Sequence, residues 1–437
     1  MAKKKKRVLA LFLAMATVLG LLLGGCGSKD DADGKVVIEL VHYKPEAVDV
    51  FEALEEKFNQ THDNIKLVID SPNDAMVILK TRFIRENNPD IIGIGGDINY
   101  SNFLDAKMLM DISDFDGLSD IKENYLATNK DLEYVPQEGV YAVPYMANAA
   151  GVLYNRDMFE EHGWQIPTTW EEFNQLCETI AAEGIQPLYF GYKDTWTCLA
   201  PWNAIAVNLC GTDIAYQVNS GNATFSEAYE EIAVKDKELL KYGQPNPVAY
   251  SYNDACTAFA REQSAMYVIG NYAIPQIKSV NPDMNIDSFV FPASSVAEEN
   301  ILNSGNDLMF CIMEDCEHKE EAYEVLRFLL EDENVQSYLD DQSAVPCKKG
   351  DFEIAPELDG MKEYIENGIV ADYQDHHYPN EMAVDAMIQT YLFDDSSNAL
   401  DTFLTRFDKE WVRYNKDIIS KVQKYQEKQF GEMSRGK

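Results

Sequence analysis

From Val36 onward the chain alternates two hydrophobic periods, and this alternation limits the folds open to it. VVIELVHY at 36–43 is β-like, Val48, Phe51, Leu54 and Phe58 recur at helical spacing, and IKLVID at 65–70 is β-like again. NDAMVILKTRFIREN supplies the next helix, DIIGIG after Pro89 the next strand, and a short helix follows near Phe103 and Leu104. The order reads βαβαβ, which requires crossover helices over a parallel sheet and so predicts an α/β fold. In such sheets ligands bind beyond the carboxyl ends of the strands, which selects His42 to Glu46, Ser71 to Asp74 and Gly95 to Tyr100 as first site candidates. The glycines of Gly93 to Gly96 lack the GxGxxG spacing and the long helix of a phosphate loop.

Upstream of this pattern, Lys3 to Arg7 form a positive segment and Val8 to Leu23 an apolar run, as in an export signal. Leu23-Gly24-Gly25-Cys26 has the form of a bacterial lipobox, so residues 1–25 are expected to be a signal peptide, Cys26 the lipidated residue and 26–35 (with GSKDDADG) a polar tether. No later segment approaches the roughly 20 apolar residues of a spanning helix. The roughly 410 residues after Cys26 exceed what one core usually organises, so two lobes are expected. The formal charge of −37, which loses five positive residues with the signal to reach about −42, disfavours nucleic acid and anionic headgroups as partners. Seven cysteines remain after Cys26, an odd number without tight spacing, which fits buried thiols better than a disulfide framework. Cys311 and Cys316 are too isolated to read as a zinc site.

Further along, YAVPYMANAAGVLYN predicts two short extended stretches broken by Pro144, and Asp157 and Met158 open a short helix. Thr169-Trp170-Glu171-Glu172 has the capping-box form, so Thr169 is expected to cap a helix to about Ala182, stopped by Gly184. Helices are expected at Ala200 to Leu209, Ser226 to Leu240, Asn253 to Arg261 and Lys319 to Leu330, and a charged helical tail from Asp394. Strands are expected at Ser264 to Ile269, in SFVFPAS and in LMFCIM.

The stretch GVYAVPYMANAAGVLYNRDMFEEHGWQIPTTWEEF (139–173) resembles the family 1 extracellular solute-binding proteins of sugar importers, through its Tyr-Asn-Arg-Asp-x-Phe and Pro-x-Thr-Trp-Glu-Glu-Phe segments. Supporting matches are Pro89-Asp90-Ile91-Ile92, Leu109-Met110-Asp111-Ile112, FAREQSAMYVIG at 259–270 and Ala344-Val345-Pro346, so the likeness covers 36–350. Lys44-Pro45-Glu46 is similar to a Lys-Pro-Glu found after the first strand in one branch of lipoproteins, and Gly270-Asn271-Tyr272 stands where the family usually shows Gly-x-Trp. The resemblance implies a type II periplasmic-binding-protein-like fold, two α/β lobes joined by about three crossings near Pro144, Phe291 and Pro292, and Pro346. Lobe one would hold 36–144 and 293–345, and lobe two 145–292 and 346–437. It further implies a monomeric, non-enzymatic carrier without cofactor, anchored at the outer face of the bacterial cytoplasmic membrane, which delivers a carbohydrate to the permease of an ABC importer.

A sugar presents apolar C–H faces and a rim of hydroxyls, so its site needs aromatic platforms and planar polar groups. The aromatic candidates are Tyr145, Trp196, Trp202 and Tyr272, with Trp170 weaker because a residue just inside a helix usually packs. The polar candidates are Lys44, Glu46, Asp97, Asn99, Asn148 and Asp307, each expected in a loop after a strand or at a lobe crossing; Lys44 and Glu46 could instead pair, and Asp307 could cap a turn with Gly305. An anchored glycoside hydrolase would need two spaced carboxylates, but no GxSxG, HExxH or P-loop accompanies them. A metal- or peptide-binding lipoprotein is a further alternative, motivated by His376 and His377 beside Asp372 and Asp375, a segment that also reads as a solvated loop before Tyr378-Pro379.

Overall fold

The computed structural model describes residues 34–435, so the signal segment, Cys26 and most of the tether lie outside the described residues. The predicted βαβαβ start is present: strand β1 (Val36–His42), helix α1 (Val48–Thr61), β2 (Ile65–Asp70), α2 (Ala75–Ile84), β3 (Ile91–Ile94) and α3 (Ile98–Asp105). β1 lies between β2 and β3 and is parallel to both. Its residues alternate between two cores, Ile38 and Leu40 on one face and Val41 on the other, which is why VVIELVH is nearly all apolar. α1 buries Phe51, Leu54 and Phe58 while Val48 faces out.

The remaining strands are β4 (Val143–Asn155), β5 (Met266–Gly270), β6 (Ile286–Phe289), β7 (Leu302–Ile312), β8 (Val345–Pro346) and β9 (Val370–Ala371). The sheet runs β2-β1-β3-β7-β4-β5, with β6 and β8 also on β4 and β9 on β7, so the parallel start becomes a mixed sheet at the antiparallel β3–β7 pair. A third core gathers Trp170, Phe173, Trp202, Phe403, Phe407 and Trp411 from the helices after β4 and the C-terminal helices. No helix among the described residues is long and apolar enough to cross a membrane.

Several local expectations need correction. β4 is one strand, because Pro144 sits beside a bulge where Tyr145 has no partner on β7. β7 starts six residues before LMFCIM: the polar LNSGND segment reads as a loop, yet all its residues except the half-buried Asp307 are buried, and it pairs with the small residues of β4. The helix expected over 226–240 is split into Phe225–Ala228 and Glu230–Leu239. Thr169 caps the helix Trp170–Ala182 as expected, accepting from the Glu172 N–H, but Glu172 returns its carboxylate to the Thr168 N–H and hydroxyl rather than to Thr169. Of the seven cysteines after Cys26, six are buried and Cys210 is half-buried.

Candidate functional site

Two adjoining cavities, of about 540 and 470 Å³, open on either side of a shared wall made by Asn148, Trp196, Tyr272 and Asp307. Asp97 lies in the first cavity, and Lys44 and Glu46 in the second. Seven of the ten ligand candidates thus converge on one cleft, and the bulged pairing of β4 and β7 at its floor explains part of how. Met146 pairs with Leu308 and Ala147 with Asn306, so Asp307 is the extra residue on β7. A bulge re-aims its side chain out of the ladder, and here the Asp307 carboxylate meets three donors. Lys44 Nζ lies 2.7 Å from Oδ2, Asn148 Nδ2 donates to Oδ1 at 2.9 Å, and Tyr43 Oη donates to Oδ1 at 3.1 Å and to the Asp307 carbonyl at 2.6 Å. Asn148 and Asp307 therefore act from within strands, not from loops, and Asp307 does not cap a turn.

Lys44 also lies 3.3 Å from Glu46, so the pairing considered from sequence exists alongside the stronger one. Burial alone would push the Lys44 ammonium down, but Asp307, with Tyr338 and Glu46, outweighs it and holds the group above its ordinary value. Asp97 caps α3, its Oδ1 accepting from the Asn99 N–H at 2.8 Å. The Asn99 amide contacts the same carboxylate at 3.1 Å, so Asn99 supports Asp97 and is not in the cavity wall. Burial raises the Asp97 carboxyl, opposed by His376.

Trp196 is 41% exposed, its ring centroid 5.0 Å from Tyr252 and 6.1 Å from Tyr272. Gly270 makes room for that platform: a Cβ there would come within 2.3 Å of the Tyr272 ring, which gives the Gly-x-aromatic spacing a steric reason. Two aromatic candidates belong to the cores instead. Tyr145 is fully buried between Phe310 and Tyr338, at 5.1 and 5.5 Å. Trp202 is fully buried edge-on to Tyr229 and Phe403 and donates to Tyr378 Oη at 3.0 Å. Trp170 packs in the same core.

Sequence reasoning reached Tyr43 only as part of the His42 to Glu46 strand end, missed Asn203, Tyr252 and Tyr373 as cavity-lining residues, and set Asp375 and His376 aside as a solvated loop. Asn203 follows Trp202 on the helix Leu199–Leu209; since that helix is buried from Ala200 to Val207, no polar face marks which side meets the cleft. Asn203 donates from Nδ2 to Asp375 Oδ1 at 2.9 Å and accepts from the Asp375 N–H at 3.2 Å. The 372–378 segment is not a solvated loop: Asp372, Tyr373, Gln374 and Tyr378 are buried, and Asp375 and His376 line the first cavity. Among the described residues no group of three or more His, Cys, Asp or Glu side chains is placed to hold a metal ion.

The cleft as a whole offers ring faces and amide and carboxylate edges, the means to bind a polar, non-ionic ligand with apolar faces. The chain matches the model of the bacterial extracellular solute-binding proteins over residues 45–336. It is 27% identical over 350 residues to the multiple sugar-binding protein of Streptococcus mutans, covering 77% of this chain and 82% of that one. With the melibiose/raffinose/stachyose-binding protein MelE of Bacillus subtilis it shares 22% over 396 residues, 86% and 89% of the two chains. Apo RafE from Streptococcus pneumoniae superposes with a TM-score of 0.77 at 26% identity, covering 89% of this chain and 99% of that one. RafE in complex with raffinose gives 0.72 at 26%, covering 86% and 99%. Fold and relatives are those of binding proteins and not of enzymes. With a mixed-sheet α/β architecture of the type II binding-protein kind and a family match across two thirds of its length, this chain belongs to the bacterial extracellular solute-binding proteins.

Proposed function

We propose that the protein captures an oligosaccharide in the cleft and hands it, unmodified, to the permease of an ABC importer. The observation that carries this reading is the pair of adjoining cavities that share the Trp196 and Tyr272 rings, each edged by amides and carboxylates. Stacking faces beside hydrogen-bonding edges match the two surfaces of a pyranose. Together the chambers have room for more than one ring, and relatives named for multiple sugars, raffinose and stachyose agree with that size.

In this reading lobe one (36–144 and 293–345) and lobe two (145–292 and 346–437) close on the ligand, with β4, the 291–292 segment and 345–346 as the crossings. Closure is driven by contacts the ligand makes to both lobes at once. Lys44, Glu46, Asp97 and Asp307 act from lobe one, and Asn148, Trp196 and Tyr272 from lobe two. Cys26 carries the lipid that keeps the carrier beside its importer at the outer face of the membrane. Titration calorimetry with a panel of saccharides, peptides and divalent metals tests the proposal. Binding of a saccharide at roughly micromolar affinity, about −8 kcal/mol, and of neither other class is the expected result; binding of a peptide or metal alone would overturn it.

A further inference from the structure

The histidine pair singled out in the sequence has a role that the metal and loop readings both miss. His376 Nδ1 lies 2.8 Å from Oδ1 of Asp372, whose side chain is 2% exposed, and the imidazole stacks against Tyr373 at 5.0 Å and 30°. Asp372 is seated by a glycine: a Cβ on Gly305 would fall 1.8 Å from its Oδ1 and 3.0 Å from the Tyr373 ring. A glycine inside a strand marks the close approach of another segment, and here it lets the chain after β9 lie flat on β7. The contact is an ion pair and not an aligned hydrogen bond, and with Nδ1 turned to the Asp372 carboxylate, Nε2 is the ring nitrogen left for the cavity that His376 lines with Asp97 and Asp375.

We propose that His376 is a specificity-determining donor of the cleft, held as a cation by the positioning residue Asp372, and that saccharide binding is linked to its proton. This rests on the carbohydrate reading above. Asp97 and Asp375 supply acceptors, one N–H of the Asn203 amide is committed to Asp375, and Nε2–H is the charged donor this corner offers a ligand hydroxyl. When the imidazolium loses a proton, the Asp372 carboxylate favours keeping the one on Nδ1 and Nε2 becomes an acceptor, so this corner loses its charged donor. The charged groups around the ring are Asp372 and Asp375 on its own segment, Asp97 at the head of α3 and Asp307 on β7, with His377 adjacent. Burial alone would lower His376, but the carboxylates of Asp372, Asp375 and Asp97 outweigh it and raise the group from 6.5 to about 9.

The test is calorimetry of the full chain with raffinose from pH 6 to 10. Wild type is expected to hold its affinity to about pH 8 and weaken by about tenfold per pH unit above 9. His376→Gln should bind at least tenfold more weakly at pH 7 and show no such fall, and Asp372→Asn should move the fall at least one unit lower. A wild-type profile flat to pH 10, or a His376→Gln variant that matches wild type at every pH, overturns the inference while leaving sugar binding intact. If raffinose and the other saccharides of the panel all fail to bind wild type, the functional reading falls and takes this inference with it.

Discussion

Removing the charge of Asp307 alone should destabilise the protein as much as removing both partners of its ion pair. The Lys44 and Asp307 side chains are 13% and 10% exposed and their charged atoms 2.7 Å apart. Breaking a buried pair from one side strands the other charge, at a cost of about 3–5 kcal/mol. Glu46, 3.3 Å from Lys44 and half exposed, remains as a partial partner after Asp307→Asn, which places the expected loss near 3 kcal/mol. Lys44→Met leaves the carboxylate with the Tyr43 and Asn148 donors and should cost about 2 kcal/mol. The double variant carries neither charge, so the two losses should not add, and the coupling should be about 2 kcal/mol. Urea unfolding of the four proteins, followed by intrinsic fluorescence at pH 7, measures it. A coupling under about 0.5 kcal/mol, the scale of an exposed pair, would refute the claim that burial makes this contact strong.

Three further outcomes follow from the same geometry. Gly305→Ala places a methyl 1.8 Å from Asp372 Oδ1 and should cost about 1–3 kcal/mol in urea unfolding together with at least a tenfold loss of saccharide affinity; an unchanged protein would show that the segment is free to shift. Trp196 is 41% exposed and the other four tryptophans are at most 8% exposed, so saccharide binding should protect one tryptophan from acrylamide quenching, and Trp196→Ala should abolish that change and weaken binding at least tenfold. His42, fully buried, is lowered from 6.5 to about 4 by burial and then by Lys44. A depressed folded value means that the unfolded chain takes the proton first. The stability is complete above pH 6.5 and falls as the pH drops toward 4, by about 3 kcal/mol. His42→Leu should flatten part of that fall, and an identical slope in the variant would remove His42 as its cause.

The fold was legible where one period dominates. The opening βαβαβ, the amphipathic helix Lys319–Leu329 and the Thr169 cap all follow from spacing and local chemistry. The site was legible at strand ends, where Lys44, Glu46 and Asp97 were sought and found at the cavity walls. It was hidden where tertiary pairing decides. Asp307 reaches the cleft through a bulge that depends on the partner strand, and LNSGND forms a strand because β4 presents small residues to it. Trp202 and Asn203 sit on a helix buried on all sides, so composition could not tell the core face from the cleft face. Tyr145 carried the right chemistry at an expected lobe crossing, but it sits at its own bulge and is buried in the core. The 372–378 segment looked solvated because its polar residues find their partners on distant elements, Gly305 among them.

The most direct measurement is native mass spectrometry of the purified chain offered a mixture of raffinose, stachyose and related saccharides, with the captured ligand released and weighed. A one-to-one complex whose ligand leaves with its mass unchanged is the predicted result. A ligand recovered as cleaved fragments, or a protein that captures none of the mixture, would contradict a cleft built to hold a saccharide without altering it.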